Sequence, residues 1–198
     1  MSNGTTVKKR NGRGVEPLNL EKIHVMCEEA CDGLAGVSAS QVEIQSGIQF
    51  YDGITTAEIQ EILIRSASDL IDLDHPNYQF VSARLLLFAL RKQIFGRLRE
   101  MPIFLDHVKK CVNKGVYDAE ILDLYTEEEY NKLQSFIDHS RDFLFTYAGL
   151  RQVVDKYLVQ DRSSGEVFET PQFMYLMIAA TIFSKYPKET RLNYVRQY

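Results

Sequence analysis

Residues 6–23, TVKKRNGRGVEPLNLEKI, hold the tightest cluster of cations in the chain: Lys8, Lys9, Arg10 and Arg13 crowd a turn that runs directly into a helix start. Backbone N–H groups at a helix N-terminus, with ammonium and guanidinium groups nearby, form a cradle for phosphate. Lys22 falls on the first turn of that helix, and Glu16 and Asn19 offer the polar contacts a sugar or base needs. A second basic pair, Arg91-Lys92, closes a later helix and could reach the same pocket from another side. A solvated basic turn is the plain alternative, because most charge clusters are only that. The fragment NGRG is not a recognised phosphate loop, since neither G-x-x-x-x-G-K-[ST] nor G-x-G-x-x-G occurs.

Two other groupings carry chemistry. His24, Cys27 and Cys31 lie at i, i+3 and i+7, one face of a helix, as metal ligands do. No fourth ligand is evident and cysteine is among the most buried residue types, so the spacing reads as core. Asp138-His139 with Arg141-Asp142 places acid, base and cation within five residues, but adjacent helical residues point to different sides and make no dyad. No G-x-S-x-G or H-E-x-x-H signature appears, so catalysis by this chain alone has no support.

The elements that must position these groups are mostly helical. Residues 6–18 read as a β-hairpin with turn glycines, its return strand confined to an edge by Pro17. Asn19 is a helix N-cap, followed by Leu20, Ile23, Cys27, Ala30 and Leu34 at helical spacing. Further helices are expected over residues 38–50, 55–71 and 77–98. Beyond a boundary at Gly96 to Pro102 come helices over 102–115 and 126–140, a second hairpin over 157–169, an apolar helix over 173–183 and a last one over 188–198. Thr55 with Glu58, and Thr126 with Glu129, have the spacing of capping boxes. The fold class is therefore mainly α: a β-hairpin capping a four-helix unit over residues 1–98, then a helical region with a second hairpin over 99–198.

Composition bounds the rest. The 198 residues are 45% hydrophobic and 25% charged with a net charge of −4, which leaves no global basic field for nucleic acid. No apolar run approaches the roughly 18 residues of a membrane span, and no signal-peptide core opens the chain. Three cysteines, an odd number, argue for a reducing, cytoplasmic setting rather than a disulfide framework.

The run V-x-K-R-x-G followed by E-x-x-N-x-x-K-I, here Val7 to Ile23, resembles the start of an ATP cone, the regulatory nucleotide-binding module of ribonucleotide reductases. The likeness continues through VSASQVEIQSGIQFYDGITTAEI and DHPNYQFVSARLLLFALRK. Past the cone, YTEEEY, FIDHSRDF, KYLVQDRSSGEVFETPQF and YPKETRLNYV resemble the helical N-terminal part of the large subunit of a class Ia ribonucleoside-diphosphate reductase. That resemblance implies a site in which Lys9, Arg10 and Lys92 contact phosphates. Glu16, Asn19 and Lys22 would hold sugar, base or phosphates; Val7, Leu18, Ile23 and Ile59 would wall the adenine pocket; Thr56 would complete the phosphate shell. The implied effectors are ATP and dATP, bound but not turned over, with Mg2+ accompanying the triphosphate.

The same resemblance marks two departures. Members strongly inhibited by dATP carry histidines where this chain has Gln60 and Ala89, so nucleotide binding is expected to survive while dATP inhibition weakens. The family's reaction also needs a thiyl-radical cysteine and a redox cysteine pair in a downstream α/β barrel, which Cys27, Cys31 and Cys111 do not match. The final helical stretch has no stop signal. The chain is therefore expected to be an N-terminal piece that does not reduce ribonucleotides alone. Its implied partners are the barrel of the large subunit, the small subunit and a further copy of itself, with no nucleic acid and no membrane. A non-nucleotide alternative is a structural fragment that complements a separate catalytic polypeptide.

Overall fold

The sequence folds as short strands tied to helices by side-chain caps. The computed structural model describes residues 5–9 and 14–198. Antiparallel β1 (Thr6–Lys8) and β2 (Val15–Pro17) pair with Val7 opposite Glu16, and Gly14 enters β2 at φ 110°, a conformation that favours glycine. The expected turn at residues 10–13 lies outside the described residues. The hairpin gains a third strand that the sequence reading did not foresee. Two residues, β3 (Ile54–Thr55), run parallel to β1, with Val7 opposite Ile54, in the order β2-β1-β3. Pro17 thus sits on an edge strand, where its missing N–H costs no ladder bond.

Helix α1 (Leu20–Cys31) starts where Asn19 accepts a hydrogen bond from the Lys22 N–H at 3.0 Å. It stops at Cys31, so Leu34 lies outside it. Helix α2 (Ala39–Gly47) follows, then α3 (Thr56–Asp69), whose capping box is complete: the Thr55 hydroxyl accepts from the Glu58 N–H while Glu58 accepts from the Thr55 N–H. Helix α4 (Tyr78–Phe95) is the longest and ends at Gly96, φ 73°, whose N–H donates to the Lys92 carbonyl.

Next come α5 (Phe104–Asn113), α6 (Ile121–Leu124) and α7 (Glu127–Gln134), the last with the second capping box, Thr126 and Glu129. The expected helix over 126–140 ends early, at Gln134, where the Ser135 hydroxyl donates to the Lys132 carbonyl; Asp138 then accepts from the Ser140 N–H and hydroxyl at the start of a separate 3-10 turn, His139–Leu144. Helix α8 (Tyr147–Lys156), not foreseen, leads to the hairpin of β4 (Gln160–Asp161) and β5 (Glu166–Val167). Helices α9 (Pro171–Phe183) and α10 (Lys188–Gln197) close the fold.

The chain divides by packing into two units: the described residues up to Ala89 together with Phe143–Arg151, and Leu90–Asp142 together with Gln152–Tyr198. The first is built on Val7, Ile23, Cys27, Ile54, Leu63, Tyr78 and Leu85, all buried. The second centres on Phe104, Tyr130, Leu133 and Phe173, with Phe104 and Phe173 edge-on at 5.3 Å. Full burial of each such side chain is worth roughly 1.5–3 kcal/mol.

Candidate functional site

The sheet orients the residues of the cationic stretch. Residues two apart on a strand share a face, so Val7 and Lys9 lie with Glu16, while Lys8 faces the other way. Val7 is buried, and the Lys9 ammonium lies 2.7 Å from a Glu16 carboxylate oxygen, a diagonal cross-strand pair. Lys8 instead runs toward the β3 side: its Cε would lie 3.7 Å from a Cβ on Gly53, and hydrogen bonds from Thr6 to Asp52 and from Thr55 to Glu58 hold those carboxyls down, with a lesser contribution from the Lys8 charge.

Glu16, Pro17, Leu18, Asn19, Leu20 and Lys22 together line an open depression of about 490 Å³ at the N-terminus of α1. Four of the residues singled out in the sequence, Glu16, Leu18, Asn19 and Lys22, therefore converge on one surface. Asn19 and Lys22 are exposed and Leu18 is half-buried. Ile23, one residue further, is buried beneath. A helix N-terminus, with its positive dipole end beside a lysine and a hydrogen-bonding glutamate, is suited to an anion that also carries hydroxyl or ring-nitrogen groups.

The remaining expected residues fall on neighbouring elements. Thr56 is the first residue of α3, and Ile59, one turn on, is buried. Gln60 is 3% exposed and its side-chain amide donates to the Met26 sulfur at 3.8 Å, which ties α3 to α1 within the first unit. Arg10 lies outside the described residues. Lys92 is exposed on the last turn of α4, in the second unit. Its neighbour Arg91 does not face a ligand: it is 6% exposed and donates to the His139 carbonyl at 2.9 Å.

A group the sequence reading missed supports this region. The Asp52 carboxylate accepts from the Thr6 N–H and from the Thr6 hydroxyl, each at 2.7 Å, and those donors hold its carboxyl below the usual range. Glu58 serves the capping box and also accepts from the Tyr51 hydroxyl at 2.8 Å. These bonds pin the start of α3 to β1. The Asp-Gly dipeptide before Ile54 was the available signal, because aspartate in a turn seeks nearby N–H donors.

The ATP cone domain family matches residues 5–93, and the ribonucleotide reductase all-alpha domain family matches residues 143–198. These two matches identify an ATP cone domain and a ribonucleotide reductase all-alpha domain within the chain. Over all 198 residues it is 50% identical to ribonucleoside-diphosphate reductase 1 subunit alpha of Escherichia coli (strain K12), of which it covers 26%. It is also 50% identical to the corresponding alpha subunit of Haemophilus influenzae, again over 26% of that protein. The alpha subunit of Enterobacteria phage T4 is 42% identical over 165 residues, 82% of this chain and 22% of the relative. The chain thus spans about a quarter of the length of these reductase subunits.

Within the cone, the histidine and cysteines of α1 take separate partners. His24 bridges Glu43 at 2.8 Å and Glu28 at 3.3 Å, and these carboxylates, Glu43 first, raise its pKa. Cys27 is fully buried, with its thiol pushed up to about 12 by burial. Cys31 is half-buried, its thiol pushed up to about 11 for the same reason. In the reductase region Asp138 and Asp142 separate as well: Asp138 is exposed with Ser140, whereas Asp142 is 1% exposed beside Arg91. No helix among the described residues is long and apolar enough to cross a membrane.

Proposed function

We propose that this chain is the nucleotide-binding regulatory portion of a ribonucleoside-diphosphate reductase large subunit, taking ATP or dATP as an effector at the N-terminus of α1. The supporting observation is the convergence of Glu16, Leu18, Asn19 and Lys22 on one depression beside Lys9. The α1 N–H groups and Lys22 receive phosphate oxygens, with Lys9, Arg10, Thr56 and Lys92 completing the phosphate shell. Glu16 and Asn19 hold the sugar or base. Val7, Leu18, Ile23 and Ile59 supply the apolar wall for the adenine. Lys9 reaches phosphate only by leaving or sharing Glu16, so nucleotide binding rearranges an existing ion pair.

A triphosphate carries its charge in a cluster, and Mg2+ bound to the phosphates reduces the repulsion. The nucleotide is an effector: its binding shifts an equilibrium between assembly states by its differential affinity for them. The partners are the barrel of the large subunit, the small subunit and further copies of the chain, in the cytoplasm. Ribonucleotide reduction belongs to the assembled enzyme and supplies deoxyribonucleotides for DNA replication.

Titration calorimetry of the 198-residue chain with Mg·ATP and Mg·dATP tests the reading. Binding on the order of micromolar, about −8 kcal/mol, is expected for both nucleotides. Absence of heat from a folded chain would instead favour the fragment that only complements a catalytic polypeptide.

A further inference from the structure

Three elements of the first unit meet at one peptide group, the Thr5–Thr6 amide. Its carbonyl accepts from the Leu18 N–H at 2.9 Å. Leu18 lines the depression at the start of α1 and immediately precedes the Asn19 cap. The N–H of the same amide donates to Asp52 Oδ1 at 2.7 Å, and the Thr6 hydroxyl donates to that oxygen at 2.7 Å as well. The Thr6 carbonyl accepts from the Gly53 N–H at 2.9 Å. Asp52 and Gly53 lead directly into β3 and the Thr55 cap of α3.

The chemistry of the junction follows from the shortness of β3. That strand begins at Ile54, too late to offer the Thr6 N–H a ladder carbonyl, and the Asp52 side chain takes that place. A hydrogen bond to an ionised acceptor is roughly twice as strong as a neutral one. An amide bound to an anion at its N–H is also more polarised, which strengthens the bond its carbonyl accepts. The Asp52 charge thus reaches the Leu18 N–H through a single amide.

The two ends of this relay carry different parts of the proposed site. Leu18, Asn19 and Lys22 lie at the start of α1, and Thr56 and Ile59 lie on the first turns of α3. We propose that Asp52 is a positioning residue for the nucleotide site: through the Thr5–Thr6 amide it sets the entry to α1 against the start of α3. The inference rests on the nucleotide reading given under the proposed function. The sign of its effect separates it from the plain alternative. A carboxylate that merely stood near a triphosphate would repel it, and its removal would tighten binding. A positioning carboxylate predicts weaker binding on removal. Its bonds to Thr6 are exposed, so the loss of global stability is small.

Titration calorimetry of the 198-residue chain with Mg·ATP, beside thermal unfolding of the same samples, tests the relay. Asp52→Ala should weaken binding about tenfold with little change in unfolding temperature. Asp52→Asn keeps an Oδ1 that accepts from both Thr6 donors and should recover most of that loss. In a double-mutant cycle with Asn19→Ala the two losses should fall short of additive, because Asp52 acts through the entry to α1. Thr6→Val removes one donor while keeping the strand, and gives a second reading should Asp52→Ala fail to fold; about threefold weaker binding is expected. Unchanged or tighter binding in Asp52→Ala, or in Thr6→Val where the former does not fold, overturns the positioning role while the nucleotide site stands. Losses that add in full with Asn19→Ala, or that track an equal loss of stability, overturn it too. Failure of the folded wild-type chain to bind ATP overturns the nucleotide reading and the role of Asp52 together.

Discussion

In the proposed site, Lys9 is committed to Glu16 before any ligand arrives. Their 2.7 Å pair is partly exposed, so its own contribution is small. A triphosphate offers Lys9 a denser charge and charge-assisted hydrogen bonds worth about 1.5–3 kcal/mol each. Lys9→Ala should therefore weaken Mg·ATP binding about 10- to 150-fold by calorimetry, with unchanged thermal stability. A loss of affinity accompanied by an equal loss of stability would mean that Lys9 supports the fold instead. The cysteines make a second residue-scale prediction. Cys27 and Cys111 are buried, and burial pushes their thiols to about 12 and about 11, so neither forms appreciable thiolate at pH 8. Alkylation of the native chain should label Cys31 slowly and the other two only on unfolding, as mass spectrometry of the digested protein would show.

At the scale of elements, caps and a largely buried ion pair between α10 and α7 hold helices together. Arg191 on α10 is 3% exposed, donates to both Glu129 oxygens of α7 at 2.8 and 2.6 Å, and lies 4.2 Å from the Tyr125 ring centroid. Arg191→Met leaves Glu129 without its partner and should cost about 3 kcal/mol in denaturant unfolding of the second unit. Arg191→Lys should recover little, because an ammonium cannot bridge both oxygens and lie flat on the ring.

The caps were also the most legible part of the sequence. Thr55 with Glu58 and Thr126 with Glu129 announced α3 and α7 by spacing alone, and Asn19 announced α1. Strand β3 was not legible. Two residues carry no alternation, and its partner β1 is 47 positions away, a pairing only tertiary packing selects. Helix α8 was missed although Thr146 stands three residues before Gly149, whose N–H it accepts at 3.3 Å. Its mixture of Gly, Tyr and β-branched residues diluted the periodic signal. The site shows the same division. Glu16, Leu18, Asn19 and Lys22 are near in sequence and were gathered by the hairpin and helix start. Asp52, Asp142 and the diversion of Arg91 to His139 depend on contacts that span 46 to 51 positions.

For the molecule as a whole, the proposed function makes the regulatory output depend on two positions of the cone. Gln60 spends its amide on Met26 within a buried setting, and Ala89 offers no polar side chain. The ATP and dATP forms differ by one ribose hydroxyl, so a strong difference in output needs polar groups that register it. In an enzyme assembled from this chain with the barrel and small subunit, reduction rates should be similar with ATP and with dATP. A steep fall with dATP would show that discrimination resides elsewhere in the site. The central claim is narrower and needs only the chain itself: a nucleotide binds in the depression at the start of α1. Amide chemical-shift mapping during titration with Mg·ATP tests it most directly. The account predicts saturable shifts concentrated at residues 14–23 and 54–60, abolished in Lys9→Ala. Shifts that are absent, or that cluster away from these residues, would contradict it.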